Sequence, residues 1–316
     1  MNSPFHSIVV VGAGAVGSFF GAMLARAGQR VTLIARAPHV QAIKRSGLQL
    51  HMAGRLESVK LDATTDLDAV RGADLVLFCV KSTDTEKVAR QLAPLLDANA
   101  LVLSLQNGVE NAATIASHVQ QTVVPSVVYV ATAMPEPGVV KHFGRGDLVV
   151  GALHSAAAPD GALQQRLQAV VDMFALAQVP VRVSPDVMGE LWRKLMVNCA
   201  YNAISAVSQM PYGQMAALPV IREVQLAVVR EVVAVAQALG QHMALDAALA
   251  AMDQIAVAMP AQLSSTAQDM ALGKRTEIDH LNGFVARRGA ELGIATPVNQ
   301  TLHALVKLLE ARSVAA

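Results

Sequence analysis

The apolar, β-branched run SIVVV at 7–11 passes directly into Gly12, Ala13, Gly14, Ala15, Val16 and Gly17, and no other stretch restricts the possible folds as tightly. It reads as a GxGxxG turn between a strand and a helix. In that setting the first glycine permits the tight turn, the second lets backbone approach a pyrophosphate, and the third lets helix and strand pack closely. The N-terminus of the helix that follows adds N–H groups and positive dipole for the phosphates. All six positions are therefore candidate dinucleotide-binding residues, in an α/β fold with a Rossmann-type N-terminal domain.

The first helix, 15–27, ends at Gly28, and a second strand follows at 30–35. A chain that prefers NAD carries Asp or Glu at the end of this strand to bond the ribose 2′-OH. Here the position holds Arg36, and the next acidic residue is Glu57. A guanidinium suits a 2′-phosphate through charge-assisted, bidentate bonds, so the expected cofactor is NADP, as NADPH. A solvated surface Arg36 is the competing reading.

Alternation of strand and helix continues. DLVLFCV at 74–80 reads as a buried parallel strand ending in Lys81, with a helix from about Asp84, and 100–105 reads as another, ending in Gln106-Asn107-Gly108. Ligands of open α/β sheets bind at the carboxyl ends of the strands. Lys81 is thus expected to face the cofactor, and Asn107 the region between nicotinamide and substrate. Later strands are expected at 123–131, 139–141, 147–151 and 179–183, with a helix from Pro159-Asp160 to about Ala177. Ser184-Pro185-Asp186 makes a good helix start. The boundary is placed there, giving an NADP-binding domain at 1–184 and a helical substrate and catalytic domain at 185–316.

From Asp186 onward strand signals vanish. Helices are expected at 187–209, 219–239, 246–259, 261–272, 276–292 and 298–312, divided by Pro211, Gly240, Pro260, Gly273 and Pro297. The first contains LWRKLMVNCAYN, in which Lys194, Asn198 and Asn202 are spaced four apart. At about 100° per residue the three drift by only about 80°, so they share one face. Nearly every other position is apolar, which predicts a buried helix, and burying an ammonium and two carboxamides is unfavourable unless something binds them. The competing reading has Lys194 reaching solvent and the two Asn satisfying backbone. A second polar stretch brings Ser264 and Ser265, hydroxyls suited to a carboxylate, and Glu277 on the first turn of the next helix. Thr276, Glu277 and Asp279 also suit a helix start that complements the dipole.

At 316 residues the chain exceeds what one core usually supports. Its 25 basic and 24 acidic residues leave a formal charge of +1, which gives no electrostatic reason to expect nucleic acid or an anionic membrane as partner. Aromatics make up only 3%, too few for base-stacking platforms. Cys79 and Cys199 stand far apart with no zinc spacing, as suits a reduced, cytoplasmic protein, and no metal site is expected. Residues 8–25 are uncharged but lack a preceding Lys or Arg, and 195–221 contain Asn198, Asn202, Gln209, Pro211, Gly213 and Gln214, so neither is expected to span a membrane. The apolar content of the helical half is compatible with a homodimer.

Taken together, the chain resembles the ketopantoate reductase (2-dehydropantoate 2-reductase) family. The resemblance rests on GAGAVG at 12–17, Arg36, Val80-Lys81, Gln106-Asn107-Gly108, Trp192-Arg193-Lys194 with Asn198 and Asn202, Ser264-Ser265 with Gln268-Asp269, and Thr276-Glu277-Ile278-Asp279 with Asn282-Gly283. It implies NADPH-dependent reduction of a small 2-oxo acid, 2-dehydropantoate, to (R)-pantoate on the route to vitamin B5 and coenzyme A. It implies Lys194 as catalytic proton donor and Asn198, Asn202 and Ser265 as substrate ligands. Arg36, Lys81, Asn107 and Glu277 would contact the cofactor. The chain departs from the family pattern at Tyr212 and Gln262, each where an Asn is expected, and at Thr266, where Met is usual. The first two changes fall on substrate positions. The alternatives are reduction of a different 2-oxo acid, a β-hydroxyacid dehydrogenase, or an NADP-binding protein without turnover.

Overall fold

The computed structural model describes residues 5–154 and 161–315, so the expected helix start at Pro159-Asp160 lies outside the described residues. The chain forms two compact units, Met1–Met188 and Gly189–Ala316.

In order, the first unit comprises β1 (Ile8–Val11), α1 (Ala15–Arg26), β2 (Val31–Ile34), α2 (Ala37–Ser46), β3 (Leu48–Met52), β4 (Arg55–Val59), β5 (Asp62–Thr64), β6 (Leu75–Phe78) and α3 (Thr85–Leu92). It continues with β7 (Leu101–Ser104), α4 (Asn111–Ala116), β8 (Thr122–Ala133), β9 (Val139–Val150), α5 (Gly161–Leu176) and β10 (Val181–Val183). One sheet runs in the order β4-β3-β9-β8-β7-β6-β1-β2-β5, with β10 paired to β9. From β5 to β8 every pairing is parallel, and β8 then meets β9 antiparallel.

The central strands β1, β6 and β7 are buried along their whole length, which is why they read as unbroken apolar runs. Alternate residues feed two cores. Ile8 and Val10 join Phe19, Phe20 and Leu24 of α1 and Phe174 of α5, while Val9 and Val11 join Phe78, Leu92 of α3 and Ile115 of α4.

Several elements were not expected. They are α2, the strands β3, β4 and β5, and α4. The two short strands expected at 139–141 and 147–151 are one strand, β9, carried through Gly144-Arg145-Gly146 by irregular pairing opposite Tyr129–Thr132.

The second unit is helical: α6 (Val187–Ser208), α7 (Tyr212–Ala216), α8 (Pro219–Ala238), α9 (Leu245–Ala258), α10 (Ser265–Ala271), a short turn at Ile278–His280, α11 (Asn282–Leu292) and α12 (Pro297–Ala315). The helix expected at 261–272 begins only at Ser265, because Ser264 caps it by accepting from the Ala267 N–H at 3.0 Å. The helix expected at 276–292 is broken. Thr276 instead donates its N–H and O–H to Glu310, at 2.7 and 2.6 Å, so Glu277 precedes a 3₁₀ turn and does not sit on a helix's first turn. α7 was not expected.

A buried polar chain ties this unit together through α6. Asn282 Nδ2 donates to the Cys199 carbonyl at 3.1 Å and to Asn299 Oδ1 at 2.9 Å. Asn299 in turn donates to the Glu231 carboxylate, which also accepts the N–H groups of Val298 and Asn299 at 2.9 Å and so caps α12. Trp192 of α6 packs on Phe284 of α11, ring centroids 5.6 Å apart.

Candidate active site

In the first unit the chain passes from β1 to β2 on one side and later to β6 on the other, so the glycine turn stands where the strand order reverses. That reversal opens a crevice at the carboxyl ends of the strands. Gly12 has φ +87°, and a Cβ there would stand 2.6 Å from the backbone nitrogen of Val80. Only glycine fits so close an approach of β1 to the end of β6. At Gly17 a Cβ would meet Val10 at 2.8 Å and Cys79 at 3.1 Å, the helix–strand contact expected from the motif. Around Gly14 the nearest atom is 4.0 Å away, so this position is open. The first turn of α1 carries no acidic residue and no side-chain cap. An open backbone surface and uncapped helical N–H groups fit a pyrophosphate.

Arg36, Lys81 and Asn107 follow β2, β6 and β7 at the same edge of the parallel sheet. Arg36 is exposed at the N-cap of α2 and makes no capping bond. Glu57 is paired with Arg26 at 2.9 Å and does not stand at the end of β2.

Lys81 and Asn107 are half-buried, and a directional network fixes the backbone beneath them. Ser82 Oγ donates to the Asn107 carbonyl at 3.1 Å, and Asn111 Nδ2 donates to the same oxygen at 2.6 Å. Thr85 Oγ1 donates to Asn111 Oδ1 at 2.8 Å, while Gln106 Nε2 donates to Thr85 Oγ1 at 2.7 Å and to the Val80 carbonyl at 2.9 Å. Buried polar networks rigidify when fully satisfied. Sequence reasoning named Gln106 only as part of a strand end and missed Ser82, Thr85 and Asn111. Their polar character close to two strand ends was the available signal.

The second unit gathers the other candidates. Lys194 and Asn198 are half-buried on α6, and Asn202 is buried to 2% exposure. Asn198 makes no side-chain hydrogen bond among the described residues, and the Asn202 side chain has one, accepted at 3.4 Å from the Tyr212 hydroxyl. Buried carboxamides are normally satisfied by protein, so the Asn202 amide keeps hydrogen-bonding capacity that the described residues do not use. Burial pushes the Tyr212 phenol well up, which keeps it a donor.

Ser264 and Ser265 divide. The Ser264 hydroxyl is buried, bonding the Asn202 carbonyl at 3.2 Å as well as capping α10, whereas Ser265 is exposed on the first turn of α10. The departures Tyr212 and Gln262 meet: the Tyr212 N–H donates to the Gln262 carbonyl at 3.0 Å. Glu277 is half-buried in the second unit, between Thr276 bonded to Glu310 and Asp279 bonded to His303 and Lys307. Burial also pushes the thiols of Cys79 and Cys199 well up, which disfavours the nucleophilic thiolate. Among the described residues no group of three or more His, Cys, Asp or Glu could hold a metal, and no helix is long and apolar enough to cross a membrane.

A parallel sheet whose order reverses at a glycine turn, followed by an all-helical unit, defines a dinucleotide-binding protein of two units. The family model described as ketopantoate reductase PanE/ApbA matches residues 8–155, and the model of its C-terminal domain matches 186–310. The chain belongs to this family. The 2-dehydropantoate 2-reductase of Halobacterium salinarum is 34% identical over 306 residues, 96% of this chain and 98% of that protein. That of Vibrio cholerae is 34% identical over 305 residues, with the same coverage. The crystal structure of a PanE/ApbA family ketopantoate reductase from Ralstonia eutropha is 51% identical, with TM-score 0.89 over 98% of this chain and 99% of that one. D-Mandelate dehydrogenase in complex with NADH and anilino(oxo)acetate is 26% identical, with TM-score 0.90 over 98% and 99%.

Proposed function

We propose that this chain is an NADPH-dependent 2-dehydropantoate 2-reductase, forming (R)-pantoate in the cytoplasm. The observation that carries it is the α6 face, where Lys194, Asn198 and Asn202 stand one turn apart with carboxamide capacity unused by the protein. The curated relatives of nearly full-length match are named for this reaction.

NADPH supplies the hydride that reduces the ketone carbon. The glycine turn and the first turn of α1 would hold its pyrophosphate, Arg36 its 2′-phosphate, and Lys81, Asn107 and Glu277 would contact the rest. As negative charge grows on the carbonyl oxygen, Lys194 stabilises it and donates the proton that completes the alcohol. Asn198 and Asn202 orient the 2-oxo acid, and Ser265 donates to its carboxylate. In this reading the first unit is the NADP-binding domain and the second the substrate and catalytic domain.

The test is NADPH consumption with 2-dehydropantoate and chiral analysis of the product. Turnover to (R)-pantoate is expected. Cofactor binding without consumption on any 2-oxo acid would leave only a nucleotide-binding protein.

A second reading is favoured by one specific feature. The ring of Tyr212 lies 4.8 Å from that of Tyr201, placing aromatic surface beside Asn202, and a structural relative carries an aryl-substituted oxo acid. A 2-oxo acid with an aryl side chain would suit such a wall. Comparing phenylglyoxylate with 2-dehydropantoate by kcat/KM separates the two.

A further inference from the structure

His39 lies on the first turn of α2, three residues after Arg36, and is buried at 5% exposure. Both ring nitrogens are engaged. The Gly138 N–H donates to Nδ1 at 2.7 Å, and Nε2 lies 3.0 Å from Ser18 Oγ. A nitrogen that accepts carries no proton, so the neutral ring holds its hydrogen on Nε2 and donates it to Ser18. Burial also lowers the ring's affinity for a second proton. The Ser18 hydroxyl then passes its own hydrogen to the Ala13 carbonyl at 3.3 Å, inside the glycine turn. One directional chain thus runs from the turn before β9, through the start of α2, into the loop between Gly12 and Gly14.

Among the described residues no other side chain caps the start of α2. Arg36 provides no side-chain cap, and the first turn holds no acidic residue. At Gly138, φ is +83° and a Cβ would stand 2.7 Å from the Ala42 Cβ, so the turn before β9 is pressed onto α2 and keeps Nδ1 occupied.

We propose that His39 is a positioning residue for cofactor choice: through Ser18 it holds the Arg36 end of α2 in register with the glycine turn, and so sets the preference for NADPH over NADH. The proposal rests on the reading of Arg36 as the 2′-phosphate ligand. A histidine that merely filled the core would weaken both cofactors alike when replaced.

The test is the dissociation constant of NADPH and of NADH for the full chain and four variants. Ser18→Ala breaks the link on the loop side with a minimal change in volume. His39→Asn keeps an acceptor where Nδ1 stands but loses the donor to Ser18, whereas His39→Gln keeps the donor. Ser18→Ala and His39→Asn are expected to lower the NADPH-to-NADH preference by roughly fivefold, the effect of one neutral hydrogen bond, with His39→Gln close to the parent. Equal losses for both cofactors, or none, in Ser18→Ala would overturn the proposal even if His39→Asn fails to fold. Arg36→Ala separates the two layers. If it is selective against NADPH while Ser18→Ala is not, only the role of His39 falls; if Arg36→Ala is itself unselective, both fall.

Discussion

The Tyr212 hydroxyl donates to Asn202 Oδ1 at 3.4 Å, so the most deeply buried carboxamide of the α6 face has its oxygen engaged and its Nδ2 turned the other way. What Asn202 has left to offer is a donor, of the kind that suits a carboxylate or carbonyl oxygen. Tyr212→Phe frees the amide to rotate. KM for the 2-oxo acid is expected to rise roughly fivefold with kcat within about twofold. Unchanged KM would mean that the Tyr212 hydroxyl does not orient Asn202 for substrate.

Lys194→Ala removes both the charge and the proton from the α6 face. The expected loss in kcat is about 100-fold or more, the scale of general acid–base catalysis, with NADPH affinity nearly unchanged. Steady-state kinetics together with a direct cofactor titration checks this, and full turnover would take Lys194 out of the mechanism.

Arg36→Ala is expected to weaken NADPH by roughly 10- to 100-fold, as for loss of charge-assisted bonds, and NADH by far less. Equal losses would show that the guanidinium does not read the 2′-phosphate.

Two of the motif glycines should fail in different ways. Gly14→Ala adds a methyl group where the protein has no atom closer than 4.0 Å, so melting should change little while NADPH binding falls. Gly17→Ala drives a methyl group into Val10 and Cys79 and is expected to cost about 1–3 kcal/mol of stability, as for an overpacked core. Parallel thermal melts and cofactor titrations distinguish these outcomes.

The second unit should be acid-sensitive through its C-terminal cluster. Burial raises the carboxyls of Asp279 and Glu310, but bonds from His303 and Lys307 to the first, and from Lys307 and Thr276 to the second, outweigh it and leave both below their ordinary values of 3.8 and 4.5. A depressed carboxyl contributes stability that is complete above its ordinary value and is lost as pH falls toward its folded one. Stability should therefore decline as pH drops below about 4.5, and Asp279→Asn should flatten that decline in acid-unfolding curves.

Legibility in the sequence followed burial. β1, β6 and β7 are covered on both faces, so their apolar runs announced them, and the glycine spacing fixed the turn that joins β1 to α1. β4 lies at the sheet's edge with four of its five residues exposed, and its polar composition hid it. β9 reads as two strands in sequence, and Gly144 and Gly146 stand between them, where the ladder continues through irregular pairing. The Lys194, Asn198 and Asn202 face was readable because helical spacing is fixed. The His39 chain was not, since its partners Ser18 and Gly138 stand 21 and 99 residues away.

The cap on α12 ties the far end of the polypeptide to its middle. Glu231 takes its hydrogen bonds from Val298 and Asn299, and Asn299 in turn receives Asn282, which grips the α6 carbonyl between Asn198 and Asn202. Trimming the protein back to residue 296 would strand a partly buried carboxylate without its donors and loosen the scaffold under the amides. In this chain α12 is a strut for the α6 carbonyl at Cys199, and a deletion there would be felt far from the cut.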